Sequence, residues 1–424
     1  QQNGVLTIGG VESYLWIKTG GELTLNNNFT GVVNIDGNGV VNINTSQPVI
    51  FGSVSPASTV RFSANATAIP LASYGHVILE GSGKTFAEGT TEIAGNLNIE
   101  TGVVANGALS GTSTITLSGN LNVAGVLNPT RKFNLNLKES LSHTLTVNGL
   151  SAFHQLTVKT GAQVLLNTPA PATLQLGTVT GGGLVIENNG ELDVKNNTLT
   201  LTGQSVISCN QTGRVGFSKG NLVYNSQSTA LSTFRTKPGA DSIQALLING
   251  VTGGQLIAEN LVYVLDSIKV AQAVLHSTNI TLVSTANKTA RIAAFEGTGN
   301  LLGTVGFQRY IRSGRMYRYL AFPVGGVSVD SLQEYMPVTG NFIGASHGAG
   351  LASATPSLFR YENNDWVPYP TTDSTAQFLS GTGYSVFMRN ENSPITVQAF
   401  GTIHRGDFVF NLQPGTESDT VGWN

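Results

Sequence analysis

The chain has 424 residues, with 22 Lys and Arg against 24 Asp and Glu and a formal net charge of −2. Only 11% of the residues are charged, well under the roughly 25% usual for soluble domains, while 40% are apolar. That balance excludes a disordered polar chain, a basic nucleic-acid footprint and a polybasic patch for anionic lipid. No run of about 18 apolar residues marks a membrane span.

From the N-terminus the sequence reads as strand after strand. Val5 to Ile8, Tyr14 to Ile17, Leu23 to Leu25, Gly31 to Ile35 and Val40 to Ile43 are short alternating runs bounded by Gly or Asn. The start at Gln1-Gln2-Asn3-Gly4 fits either a mature N-terminus left by signal cleavage or a boundary within a longer chain. Further on, segments recur. Gly20-Gly21-Glu22-Leu23-Thr24-Leu25 returns as Gly190-Glu191-Leu192-Asp193-Val194, and Gly95-Asn96-Leu97-Asn98-Ile99 as Gly119-Asn120-Leu121-Asn122-Val123. Thr144-Leu145-Thr146-Val147-Asn148-Gly149 is echoed by Leu156-Thr157-Val158-Lys159-Thr160-Gly161. Recurrence of this kind marks stacked repeats.

Strands this short bury little alone, but coils stacked in register share one core of Val, Leu and Ile. Residues 1–300 are therefore expected to form a parallel β-helix (β-solenoid). At roughly 20–25 residues per coil and about 4.8 Å between coils, it would hold on the order of a dozen coils over roughly 60 Å. Asn and Thr at inside turns would form ladders down the stack. A propeller would show a longer period with an aromatic signature, and a sandwich array longer strands; neither pattern is visible. A looser stretch from Asn128 to His143 is expected to be a lateral loop or a seam. Cys209 is the only cysteine, so there is no intrachain disulfide and no Cys-rich zinc site; it reads as a small buried hydrophobe.

Composition shifts near Gly297-Thr298-Gly299-Asn300. Beyond it, aromatics and Arg rise and the repeats stop. Residues 301–424 are expected to form a compact antiparallel, β-sandwich-like domain with strands at Tyr317–Phe322, Leu358–Tyr361, Tyr384–Met388 and Ile395–Phe400.

Candidate chemistry is thin. Gly344-Ala345-Ser346-His347-Gly348 fits the pattern of a nucleophile elbow but lies in a Gly- and Ala-rich loop, where the strand before Ser346 and the helix after it are missing from the pattern. Gly81-Ser82-Gly83-Lys84-Thr85 imitates the end of a phosphate loop, yet Ile78 stands where the leading Gly belongs, so a strand turn is expected. Glu191 and Asp193 share a strand face. The carboxylates, Glu22 among them, are too sparse for the dense cluster that a polysaccharide lyase or glycoside hydrolase needs. His76, His143, His154, His276, His347 and His404 show no metal-ligand spacing. Arg309, Arg312, Arg315 and Arg318 could serve a sugar acid or phosphate. Trp366, Tyr369 and Tyr384 could form a sugar-stacking platform, against the alternative of a β-domain core. No catalytic residue, cofactor or metal site is assigned.

Two stretches carry a resemblance. Ser73-Tyr74-Gly75-His76-Val77-Ile78-Leu79-Glu80-Gly81-Ser82-Gly83-Lys84-Thr85-Phe86, with Thr91 to Ile99 and Asn197 to Leu201, resembles the recurring coil of repeat-rich surface proteins that Bacteroidetes export through the type IX secretion system. Gln308-Arg309-Tyr310-Ile311, Gly314 to Leu320, Phe322-Pro323-Val324, Arg360-Tyr361-Glu362, Trp366, Gly381 to Tyr384 and Gly401 through Asp407 resemble the module that follows such solenoids. The resemblance implies a right-handed coil and a location outside the cell or on the outer cell surface. It implies the secretion and outer-membrane attachment machinery as partners, with surface glycans or other surface proteins beside them, and neither nucleic acid nor direct membrane insertion. It places the four arginines in paired strands, which favours ion pairs within the module. Gly422-Trp423-Asn424 looks like the opening of that module's last stretch, so a longer polypeptide is expected.

Five of the nine aspartates precede Ser or Thr in the context that these bacteria O-glycosylate: Asp241-Ser242-Ile243, Asp266-Ser267-Ile268, Asp330-Ser331-Leu332, Asp373-Ser374-Thr375 and Asp419-Thr420-Val421. Ser242, Ser267, Ser331, Ser374 and Thr420 are the candidate acceptors, against a plain turn chemistry for Asp-Ser pairs. The expected function is a non-catalytic surface or secreted stalk, adhesin or filament component. The alternative is an extracellular polysaccharide-binding or glycan-degrading β-helix protein, and a third reading is a secretion intermediate.

Overall fold

The computed structural model describes residues 13–26, 29–128, 131–148, 150–168, 171–178, 181–347, 354–362 and 365–405. It is 51% strand and 1% helix: a parallel β-solenoid of about 13 turns and a C-terminal antiparallel β module. The chain divides into two compact units. The first holds Gln1–Asn260, Lys269–Leu275 and Ala294–Asn300, and the second Leu261–Ile268, His276–Ala293 and Leu301–Asn424.

In the first unit every paired strand is parallel to the strand one coil away. One face is an unbroken ladder from Glu22–Leu25 to Arg214–Gly216. A second face runs from Ser73–Tyr74 to Gln255–Ala258. The third face stops at Val126–Leu127 and a new ladder begins at Leu150–Phe153. Within the stretch expected to be a lateral loop or a seam, Lys132–Leu137 pairs with Thr112–Leu117 over its full length, and Ser142–Val147 joins the first face. Only the third face breaks there.

Alternation explains why the strands form. In Thr112–Leu117, Lys132–Leu137 and Thr198–Leu201, every second side chain is buried and its neighbours are half-exposed. Register places like on like. Val41, Val60, Val77, Leu97, Leu121 and Leu145 pair in succession, each at most 1% exposed. Each such side chain contributes roughly 1.5–3 kcal/mol by burial, which short strands obtain only from the coils above and below. Coil length varies, because turns absorb insertions: Lys18 bonds Asp36 across 18 residues, Asn122 bonds Asn98 across 24, and Lys159 bonds Glu187 across 28.

The second unit carries the candidate site. The strands of its C-terminal module, among the described residues, are β1 (Val305–Ile311), β2 (Met316–Ala321), β3 (Val324–Gly325), β4 (Leu358–Glu362), β5 (Asp365–Pro368), β6 (Gly383–Met388) and β7 (Ile395–Ile403), with a short helix, α1 (Val329–Gln333). β7 lies antiparallel to β1 and β3, and β1 lies parallel to Ile280–Leu282. The other sheet has the order β2-β6-β4-β5, all antiparallel. Between them sits a core that includes Ile311, Phe322, Val324, Leu332, Phe378, Tyr384, Val386 and Val397.

Candidate functional site

Several carboxylates of the solenoid link one coil to another. Asp36 pairs with Lys18, Glu80 with Arg61, Glu187 with Lys159, Glu259 with Arg235 and Glu296 with Lys269. Glu191 sits 2.9 Å from Lys237 and 3.7 Å from Arg214, which is also its strand partner. Asp193 shares its strand but instead accepts the N–H of Lys195 at 2.9 Å, closing a turn. Glu22 accepts the side-chain amide of Asn42 at 2.9 Å. Among the described residues no three His, Cys, Asp or Glu converge as metal ligands would, and no helix is long and apolar enough to cross a membrane.

The short motifs resolve into structure. Lys84 is fully buried inside the solenoid, and its ammonium donates to the Ala64 carbonyl at 2.7 Å. Burial lowers its pKa, with nearby Glu80 opposing. Gly81 and Gly83 take positive φ in the turn before it, so this segment is a strand turn. Ser346 accepts from the Val338 N–H at 3.0 Å and from the Gln333 amide at 2.8 Å, binding a loop together. His76 accepts the Asn96 N–H at 3.0 Å, and buried His143 places its ring nitrogens 2.8 and 3.0 Å from the Gly119 and Lys138 carbonyls. His154 lies 2.8 Å from the Thr178 hydroxyl; burial, then Lys132, lowers its pKa. Cys209 is buried, and burial pushes its thiol up to about 11.

The expected aromatic platform divides across a sheet. Side chains alternate along β6 and β2, so Tyr384 falls on the core side while Tyr317 and Tyr319 fall on the other. Tyr384 is 0% exposed, its hydroxyl takes the Leu379 N–H, and Tyr369 packs against it and Phe378. Tyr384 is thus part of the β-module core, the alternative that the sequence left open, and Tyr369 lies half-buried against that core. Trp366 stays at the surface, stacked on Tyr319 with ring centres 5.6 Å apart and planes 16° apart. Tyr361 meets its edge at 5.3 Å, and Tyr319 is 77% exposed. The partners of Trp366 are thus Tyr319 and Tyr361. Strand alternation around Tyr317 and Tyr319 was the signal that could have found them.

The four arginines also differ from expectation. None makes an ion pair with a carboxylate among the described residues. Arg315 lies over the Phe387 ring at 5.3 Å. Arg309, Arg312 and Arg318 instead line a cavity of about 640 Å³. Tyr319 forms part of it, as does the loop 284–289, which a 2.9 Å bond from the Tyr310 N–H to the Ser284 hydroxyl fastens to β1. The Nε of Arg318 is buried with no hydrogen-bond partner. Lys288, in the same loop, is 2.5 Å from Asp266; that bond, helped by one from Ser267 and opposed by burial, holds the Asp266 carboxyl below its usual range. Nothing in the local spacing of Thr285-Ala286-Asn287-Lys288 signals the loop's part in this cavity.

The candidate acceptor serines are all half-buried. Ser242 begins a strand and Ser267 lies within one, its hydroxyl donating to Asp266 at 3.0 Å. Ser331 lies in α1, 3.0 Å from the Ser328 hydroxyl. Ser374 accepts the Asp330 N–H on its carbonyl, which brings two of the motifs together, and Asp373 takes the Thr375 N–H at 2.9 Å in an Asx-turn. Thr420 lies outside the described residues.

These features define a class, the parallel β-solenoid with an appended antiparallel β module. The chain matches no family model, no curated protein and no solved structure.

Proposed function

We propose that this is a non-catalytic structural or adhesin-type protein of the cell surface, exported by the type IX route, in which the solenoid is a stiff spacer and the second unit is the displayed module. The supporting observation is the use of the solenoid's charges: Glu80, Glu187, Glu191 and Glu259 are spent on links between coils. A continuous column of buried Val and Leu beneath them resists bending because each coil is held by two neighbours. The resemblance of residues 308–324 to a known terminal module supports the export route. A second reading, polysaccharide binding, draws on the exposed stack of Tyr319 and Trp366.

The test is surface accessibility in the native host. Expressed with all its flanking sequence, the protein should be labelled and cleaved by reagents that do not enter intact cells. Full protection from both would defeat the proposal. The mass of the natively secreted protein tests glycosylation at Ser242, Ser267, Ser331, Ser374 and Thr420; an unmodified mass rules it out.

A further inference from the structure

The second unit holds three guanidinium groups beside a groove with no carboxylate to answer them among the described residues. Arg309 and Arg312 are exposed, and Arg318 is half-buried with an orphaned Nε. A buried donor without a partner is uncommon in a folded protein and points to a missing acceptor. Lys288, the fourth cation on this wall, is occupied by Asp266, so the arginines carry the uncompensated charge. Guanidinium forks match planar or tetrahedral oxyanions, carboxylate and sulfate alike.

The rest of the groove speaks to what bears the oxyanion. The cavity of about 640 Å³ runs beside a second of about 350 Å³, and Arg309, Ile311, Tyr319 and Leu320 line both. That is room for several linked units. One wall presents the exposed Asn287 amide, suited to hydroxyls, on a loop whose Thr285 and Thr289 hydroxyls are held by Lys288 and Ser284. β2, the edge strand of its sheet, lines both cavities, and on the outer face of that sheet Tyr319 stacks on Trp366 and is 77% exposed. Flat apolar faces, hydroxyls and regularly placed anions occur together in an acidic sugar chain.

We propose that this groove binds an acidic polysaccharide, with its carboxylate or sulfate groups on Arg309, Arg312 and Arg318 and its sugar rings against Tyr319 and Trp366. The proposal deepens the displayed-module reading and rests on it only for where the ligand is met. Binding is measured on purified protein, so a failed localisation test and a failed binding test are separate results.

Binding of the full chain is measured to oligogalacturonate, to sulfated dextran, to neutral dextran and to single-stranded oligothymidine at equal ionic strength. At least one acidic sugar chain should bind, with preference over neutral dextran and over the nucleic acid; which one binds separates carboxylate from sulfate. Arg309→Ala with Arg312→Ala should weaken binding about tenfold or more, as expected for lost charge-assisted bonds. Arg309→Lys with Arg312→Lys should restore part of it, because the charge remains and the fork is lost. Tyr319→Ala should weaken binding while leaving its salt dependence unchanged, since that contact carries no charge. On the unsubstituted protein, the bound sugar chain should shield Arg309 and Arg312 from phenylglyoxal, read by mass spectrometry, whether or not the variants fold. Failure of both acidic chains to bind, undiminished binding by a folded double alanine variant, equal affinity for oligothymidine, or unshielded arginines would each overturn the proposal.

Discussion

The amide N–H of Asn120 donates to the side-chain oxygen of Asn96, one coil earlier, at 2.9 Å. Asn120 repeats the gesture, accepting the N–H of Thr144 at 2.7 Å, while Asn96 itself donates to His76. Each side chain thus satisfies a backbone donor of the next coil. Asn120→Ala leaves the Thr144 N–H without that acceptor in a part-buried site, and should cost about 1–3 kcal/mol. Asn98, whose bond to Asn122 joins two half-exposed side chains, should cost about 1 kcal/mol or less when changed to Ala. Urea unfolding of both variants checks the order.

Glycines at positive φ are unequal. Gly20, at φ +75°, has open space where a Cβ would stand, so Gly20→Ala meets only the left-handed strain of about 1–2 kcal/mol. A Cβ on Gly182, at φ +90°, would lie 1.9 Å from the His154 carbonyl oxygen of the preceding coil. The coils would have to separate, and Gly182→Ala should cost on the order of 3 kcal/mol or more. Equal unfolding midpoints for the two variants would contradict the stacking described.

Lys84 gives a pH signature. Its pKa is lowered in the folded chain by burial, so below its ordinary value near 10.4 the unfolded chain holds more protons at this site. Stability should therefore rise with pH across the window below about 10, relative to a variant without the group. Lys84→Met should flatten that rise. Unfolding free energies of both proteins at pH 7 and pH 9.5 test the sign, and a steeper rise in the variant would reverse it.

Cys209, with its thiol held at about 11 by burial, should be inert to a disulfide reagent at pH 8 in the native protein and react at once in urea. Labelling followed with denaturant measures how readily that part of the stack opens. Immediate labelling of native protein would place the thiol at the surface.

Much of the stack was legible because its physics is local and repeated. Leu97 and Leu121 sit in identical Gly-Asn-Leu-Asn settings, and like settings stack. Residues 128–143 read as a lateral loop or a seam because Asn128-Pro129-Thr130-Arg131-Lys132 resembles a loop; the alternation of Phe133, Leu135 and Leu137 marks a strand, and the third ladder changes over this stretch as a seam would. The arginines were visible as a cluster, but the ion pairs expected of them required carboxylates from other strands. Pairing between distant strands is not written in local spacing.

By itself, the amino-acid order determined a stacked all-β chain with a compositional change near residue 300, because alternation and recurrence are properties of neighbours along the chain. Only the tertiary structure decided that Tyr384 is core while Tyr319 and Trp366 share an open face, and that Arg309, Arg312 and Arg318 face a groove closed on one side by residues 284–289. Which side of a sheet meets the core, and which loop folds over a strand, depends on packing between segments far apart in sequence.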